Sequence, residues 1–241
     1  MSVTPYGTGQ NKKEEVRQMF DSIAGSYDFL NHALSLNIDK IWRRRLIRHI
    51  GKFKPGKILD VATGTGDLAL AALKLDPEMV TGVDIANGML EVGRKKIEDR
   101  GEQQRIRLIE GDSENLPFNN SEYDAVTVAF GVRNFEDPQK GLSEMCRVLK
   151  PGGVAAILEF TMPVHFPVRP LYKFYFKRIL PLIGRVVSKD FSAYRYLPES
   201  VEAFAQRDIF TSLMEVAGFE QVGYKIQSFG IAAIYYGRKK L

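Results

Sequence analysis

Ile58-Leu59-Asp60-Val61-Ala62-Thr63-Gly64-Thr65-Gly66-Asp67 is the stretch whose reading decides the fold. An apolar run closes on an acid, Asp60. Gly64 and Gly66 supply a tight turn, and Asp67 opens a helical apolar pattern through Leu68, Ala69, Leu70, Ala71, Ala72 and Leu73. Strand, glycine loop and helix N-terminus in that order open a nucleotide-binding α/β unit. The succession repeats downstream. Met79–Asp84 reads as a second strand ending in an acid. Arg105–Gly111 reads as a third, followed by Asp112-Ser113. Tyr123–Phe130 is a nearly continuous apolar run, as suits a strand buried on both faces. Pro138–Leu149 reads as a helix, Lys150-Pro151-Gly152-Gly153 as a turn and Val154–Phe160 as a fifth strand. Strands alternating with helices at this spacing predict a parallel sheet wound on both sides.

The ligand of the glycine loop is decided by charge. Gly64-x-Gly66-x-x-Ala69 fits the dinucleotide fingerprint, with Asp84 about 20 residues further on to hold a ribose diol. A diphosphate, however, wants bare N–H groups at the turn. Here Asp60 and Asp67 flank the glycines with no Lys or Arg between them, and two carboxylates would repel it. S-adenosylmethionine carries an ammonium and a sulfonium and no phosphate. Asp60 could accept from that ammonium directly or through water, while Gly64 and Gly66 let the backbone approach the methionine moiety. Asp84 could take both ribose hydroxyls, with Ile85 beside it in the same set. Asp112 could accept from the adenine amino group, helped by Ser113. A dinucleotide and a plain turn with helix-capping acids remain the competing readings, and for Asp112 a turn cap.

With 241 residues, 44% of them apolar, one domain with appendages is the natural expectation. No run of 18 apolar residues is present, so no transmembrane helix is expected. The start lacks a charged-then-apolar signal pattern, which predicts a cytoplasmic protein. Cys146 is the single cysteine, so neither an internal disulfide framework nor a cysteine zinc site can form within the chain; it reads as a small buried residue. Residues 1–12 read as mobile. The net charge of +5 is uneven. Lys40, Arg43, Arg44, Arg45, Arg48, Lys52, Lys54 and Lys57 crowd one stretch. Lys173, Lys177, Arg178, Arg185 and Lys189 form a second, among Leu171, Tyr172, Phe174, Tyr175, Phe176 and Ile179. Either could be a solvated helix face. No nucleic-acid motif accompanies them, so no nucleic acid is expected. The second stretch mixes bases with large apolar groups, which suits an anionic membrane surface or a long apolar substrate; a helix over 166–190 could turn its aromatics, Phe174 and Tyr175 among them, inward and its bases toward headgroups.

Three further segments carry a resemblance. The first is Phe20-Asp21-x-Ile23-Ala24-x-x-Tyr27-Asp28-x-x-Asn31-x-x-x-Ser35, running to Trp42. The second is Phe130-Gly131-Val132-Arg133-Asn134, leading to Glu144-Met145-Cys146-Arg147-Val148-Leu149-Lys150-Pro151-Gly152-Gly153. The third is Tyr194-Arg195-Tyr196-Leu197-x-x-Ser200-Val201-x-x-Phe204. Together they span nearly the whole chain, which resembles the ubiquinone/menaquinone biosynthesis C-methyltransferase family. The resemblance implies S-adenosylmethionine as cofactor, with contacts at Thr63, Asp84, Asp112 and Ser113. It implies C-methylation of a prenylated naphthoquinol, demethylmenaquinol to menaquinol; a ubiquinone-pathway benzoquinol or another small phenolic is the alternative acceptor, and a non-catalytic binding module a remoter one. The implied substrate wall is the N-terminal helices and an insertion after strand 5. The expected fold is a class I methyltransferase, a Rossmann-like seven-stranded sheet with a reversed last strand; Phe219–Phe229 and Ile231–Arg238 would be its last two strands. The whole chain, 1–241, would be one domain, with 1–51 as a helical cap and 162–205 as a substrate- and membrane-facing insertion. A homodimer and weak peripheral contact at the inner face of the membrane complete the expectation. Leu30, Asn37, Asp39, Ala129 and Ala205 depart from the family's usual residues. Ala129 stands where many members have a cofactor-contacting Ser, so that contact is not expected here.

Methyl transfer from a sulfonium is an in-line displacement that gains much of its rate from positioning. A ring hydroxyl, once deprotonated, pushes electron density onto the accepting carbon, so a base or a phenolate-stabilising group should lie near the ring. No Asp/Glu/His cluster resembles a magnesium site, and no metal is expected. Arg133, just after strand 4, is the leading catalytic candidate; an ion pair with Glu136 or Asp137 is the competing role. Asn134 could orient the same hydroxyl or cap a helix. Tyr27, Tyr194 and Tyr196 could line the ring pocket or simply pack. His165 could be the base or a surface loop residue. Trp42 reads as packing between the N-terminal helices and the sheet, and His32 and His49 receive no role.

Overall fold

Alternation fixes the sheet. In β1 (Lys57–Val61) Leu59 and Val61 pack into one core and Ile58 into another, all with no exposed surface. In β4 (Tyr123–Ala129) Val126 and Val128 join the first core and Ala125 the second. Period-two apolar runs of this kind need cover on both faces. The computed structural model describes residues 3–179 and 191–241, together with the side chains of these except at 30, 33, 34, 177, 191 and 194. β2 (Met79–Asp84), β3 (Ile106–Glu110), β5 (Leu149–Phe160), β6 (Phe219–Gln227) and β7 (Ala232–Lys239) complete a seven-stranded sheet of order β3-β2-β1-β4-β5-β7-β6. β1 to β5 pair in parallel. β7 runs antiparallel to both β5 and β6, so the last strand is reversed. β5 begins at Leu149, earlier than expected: Leu149 already pairs with Tyr123, and the Pro-Gly-Gly bend is taken up as an irregularity in that ladder.

The order reverses beside β1, between β2 and β4, where α/β sheets open their ligand crevice at the strands' carboxyl ends. Helix α1 (Lys12–Leu34) closes over that end through Lys13, Val16, Phe20 and Tyr27, while helix α2 (Ile38–Ile50) packs Leu46, Ile47 and Ile50 on one face of the sheet. Trp42 on α2 is buried against Phe130 and Phe160, and its indole N–H donates to Ser228 Oγ at 2.9 Å. Helices α3 (Asp67–Ala72), α4 (Asn87–Glu98) and α5 (Pro138–Val148) flank the sheet. After β5 come α6 (Val168–Phe174), continued by a π-helical turn over Tyr175–Ile179, then α7 (Phe191–Ala203) and α8 (Asp208–Val216). Cys146 is buried in the core.

Two expectations need correction. The glycine-rich start is held, not loose, over Tyr6–Thr8: the buried Glu15 carboxylate accepts from the backbone N–H groups of Tyr6, Gly7 and Thr8 at 2.7–2.9 Å and from the Thr8 hydroxyl at 2.6 Å. Burial alone would raise the Glu15 pKa; these hydrogen bonds outweigh it and hold it at about 2. On α6 the aromatics do not all turn inward. Tyr172 and Phe176 pack in the core with Val16, Met19 and Tyr196, but Phe174 and Leu171 are exposed. Arg185 and Lys189 lie outside the described residues.

Candidate functional site

The glycine loop is built by backbone geometry. Gly64 and Gly66 sit at φ +56° and +77°, in the left-handed region where a side chain is disfavoured. Gly66 caps α3 through its backbone. It points toward Leu108 and Ile97 and lines none of the cavities described below, so its part is the turn itself. Gly64 faces a cavity of about 660 Å³, lined also by Asp84, Ile85, Asp112, Ser113 and Asn134. The two Asp84 oxygens accept from the backbone N–H groups of Gly64 (2.8 Å) and Ala86 (2.9 Å). Each carboxylate oxygen can accept more than one hydrogen bond, so acceptor capacity remains. Burial pushes the Asp84 pKa up against those bonds. Asp112 accepts from Glu114 N–H (2.9 Å) and from Lys13 Nζ (2.7 Å), a cation that α1 brings over the cavity. Asn134 ends a 3-10 turn over Val132–Asn134, and its buried Oδ1 has no partner. The cap of α5 is Asp137, whose side chain accepts from Lys140 N–H, so Asn134 does not serve as the helix cap.

A smaller pocket beyond Gly64 is lined by Asp60, Thr63, Asp67, Arg43, Tyr27 and Ala129, among others. Asp60 is 1% exposed and accepts from the hydroxyls of Thr63 (2.6 Å) and Thr127 (3.0 Å). Burial outweighs those bonds and raises its pKa to about 7. The two acids flanking the glycines therefore differ. Asp67 is no cap and no bare charge: Lys96 Nζ lies 2.6 Å away and His32 Nε2 3.3 Å. Burial would raise the Asp67 pKa, but Lys96 and Arg43 hold it below the usual carboxylate value. The repulsion inferred from the sequence is therefore weaker than two free carboxylates would give, because Lys96 compensates Asp67 and burial leaves Asp60 partly protonated near pH 7. Ala129 faces both this pocket and the larger cavity.

A third, aromatic cavity of about 700 Å³ shares Phe20, Tyr27 and Phe130 with the first. Tyr196 and Arg133 line it. Phe130 takes φ +63°, which strains a bulky residue, and its ring stacks on Phe160 at 4.4 Å. Arg133 Nη1 donates to Glu159 Oε1 (2.9 Å) and to the Phe130 carbonyl; its partner is Glu159, not Glu136 or Asp137. Arg133 Nε is buried without a partner, and the guanidinium carbon lies 5.6 Å from the Phe160 ring centre. Tyr27 is pushed up by burial and Tyr196 to about 12, so both phenols stay protonated at neutral pH. Tyr196 Oη has no partner. His165 is exposed in the loop after β5 and lines none of these cavities, which removes it as the base. The Tyr194 side chain lies outside the described residues. Arg43 is the residue that sequence reasoning missed: it was grouped with a solvated basic run, yet it is 8% exposed, paired with Asp39, and 5.3 Å from the Phe130 ring centre. Asp39 four residues earlier on the same helix was the available signal.

A reversed seventh strand and an acid-flanked glycine turn define a class I S-adenosylmethionine-dependent methyltransferase. A SAM-dependent methyltransferase from Thermotoga maritima superposes with a TM-score of 0.63, covering 92% of this chain and 99% of that one at 18% identity, a likeness of fold. The chain belongs to the ubiE/COQ5 methyltransferase family, whose model matches residues 8–239. It is similar to the demethylmenaquinone methyltransferase of Bacteroides fragilis, 47% identical over 238 residues, which are 98% of this chain and 97% of that one. It is 46% identical to the ubiquinone/menaquinone biosynthesis C-methyltransferase UbiE of Geobacter sulfurreducens over 95% of this chain and 90% of that one.

Proposed function

We propose that this chain methylates a ring carbon of demethylmenaquinol to give menaquinol. The observation that carries the reading is the junction of the glycine-loop cavity with the aromatic cavity across Phe20, Tyr27 and Phe130, which sets a donor and an aromatic acceptor side by side. S-adenosylmethionine, when bound, supplies an electrophilic methyl group on a sulfonium. The residues present fit it. Asp84 has acceptor capacity for a ribose diol, Asp112 and Ser113 line the same cavity and would take the purine, and the orphaned Asn134 Oδ1 offers an acceptor. Asp60, neutral and ionised in similar measure near pH 7, becomes fully ionised opposite an ammonium. Arg133, whose Nε is unpartnered, and Tyr196 both line the aromatic cavity; the guanidinium would stabilise a developing phenolate there, and the Tyr196 hydroxyl can donate to a ring oxygen. Phe130, Phe160 and Trp42 keep water from the acceptor.

The same reading includes a homodimer and weak peripheral contact with the cytoplasmic face of a membrane. Exposed Phe166, Leu171 and Phe174 stand among Arg169, Lys173 and Arg178, which supports that contact. No helix among the described residues is long and apolar enough to cross a membrane. The function is tested in a menaquinone-making strain lacking this gene. A quinone one methyl short should accumulate, and the wild-type chain should restore menaquinone; an unchanged quinone pool would overturn the reading.

A further inference from the structure

A fourth cavity, of about 1060 Å³, lies behind the aromatic one. The two are neighbours: Asn31, Ser35, Phe160 and Leu197 line both. Its walls come from separate elements: Leu36 after α1, Ile38 and Trp42 on α2, Ile231 before β7, and Val168, Leu171 and Phe176 on α6 and its π-helical turn. Among the described residues no charged one lines it. At one end it meets the site for the ring. At the other stand Leu36, 80% exposed, and Leu171, 64% exposed, both part of its lining. An uncharged cavity with aromatic groups at its inner end and bare aliphatic groups at its outer end suits a long hydrocarbon attached to a ring.

We infer that this cavity holds the isoprenoid tail of the acceptor, and that α2 and α6 thereby select acceptors that carry a tail. The inference rests on the acceptor being a prenylated quinol. The ring would lie against Phe130 and Arg133, and the chain would leave past Phe160 and Leu197 toward Leu36 and Leu171. Hydrophobic contact is non-directional, so the cavity favours tails of any length that fills it, with the surplus projecting beyond Leu171.

The test compares acceptors and variants. The full-length chain is given a tail-free naphthoquinol and naphthoquinols with one, two and four isoprene units. Each buried methylene is worth about a factor of four, so kcat/KM should climb steeply with the first units and then level off. Leu171→Glu and Ile38→Glu place a charge on opposite walls. Each should lower kcat/KM for the tailed acceptors about 10-fold or more while changing the tail-free acceptor less than about twofold. The same tail-length dependence in variants and wild type would overturn the inference. A second measurement stands apart from turnover: a naphthoquinol with a diazirine at the end of a two-unit tail is photolysed on the chain and the labelled peptide identified. Label within residues 168–179 or 36–42 supports the inference, and label elsewhere overturns it. Should no naphthoquinol of any tail length be methylated, the functional reading fails, while the photolabel still decides whether the cavity takes the chain.

Discussion

Arg133→Lys separates a catalytic guanidinium from a structural one. Arg133 and Glu159 form a pair at 2.9 Å with side chains 7% and 0% exposed. Removing the cation outright would strand a buried carboxylate at a cost of about 3–5 kcal/mol, a large part of a typical stability of about 5–15 kcal/mol. Arg133→Ala would therefore confuse unfolding with lost chemistry. Lysine keeps a charge for Glu159 but supplies a single point donor, so the planar guanidinium and its unpartnered Nε–H are lost from a residue that lines the aromatic cavity. One hydrogen bond given up, to the Phe130 carbonyl, costs about 1 kcal/mol, or roughly 2–4 °C of Tm in a domain of this size. Loss of one stabiliser of a developing anion costs about 10²–10³ in rate, and a retained charge puts the expectation near the lower bound. Arg133 lines the aromatic cavity and not the glycine-loop cavity, so S-adenosylmethionine affinity should change less than about threefold. Single-turnover transfer of labelled methyl, calorimetric titration of S-adenosylmethionine and a thermal melt on one preparation decide the matter. A folded variant with wild-type turnover would reduce Arg133 to a partner of Glu159. Collapsed cofactor affinity with intact chemistry would refute the assignment as well.

Asp84→Ala should weaken S-adenosylmethionine by roughly 10- to 150-fold, the worth of about 1.5–3 kcal/mol for a charged hydrogen bond; Asp84→Asn controls for the N–H groups of Gly64 and Ala86, and near wild-type affinity in a folded Ala variant removes Asp84 from the site. Burial raises Asp60 from 3.8 to about 7, so the fold retains a proton that the unfolded chain has lost; the Asp60 contribution to stability is full below about pH 4 and is lost as pH rises to 7. The ammonium favours the ionised form, so cofactor affinity should fall about tenfold per pH unit below 7; equal affinity at about pH 5.5 and pH 8 by calorimetry, or the same pH dependence in Asp60→Asn, excludes that contact. Binding to anionic vesicles should rise with anionic lipid, fall with salt and drop when Lys173, Lys177 and Arg178 become Gln, since each base near such a surface adds about 1 kcal/mol; equal co-sedimentation of variant and wild type leaves α6 as a lid only.

Asp60 and Asp84 were legible because each closes an apolar run before a turn, and Asp112 because it follows Gly111 directly after the third strand. Gly64 and Gly66 were legible for the same reason: a left-handed turn leaves a residue-type signature. What stayed hidden was decided by pairing across the chain. Arg43 sits in a basic run and is buried only because α2 lies over Phe130 with Asp39 beside it. Glu159 is one acid at the end of an apolar strand, and nothing local joins it to Arg133, 26 residues earlier. Asp67 looks bare in sequence because Lys96 is 29 residues away. Phe174 was placed inward because it interleaves with bases, but the helical turn gives the interior to Tyr172 and Phe176 and leaves Phe174 outside. His165 shows the converse: a titratable side chain near strand 5 invites a catalytic role, and the loop carries it away from the cavities.

The most direct measurement of the central claim is transfer itself. The purified chain is mixed with S-adenosylmethionine labelled in its methyl group and with chemically reduced demethylmenaquinone, and the quinone fraction is analysed by mass spectrometry and NMR. The account predicts one labelled methyl on the free ring carbon of the naphthoquinol, and S-adenosylhomocysteine formed in equal amount. Label on a ring oxygen, or no label in the quinone while the chain binds S-adenosylmethionine, would contradict it.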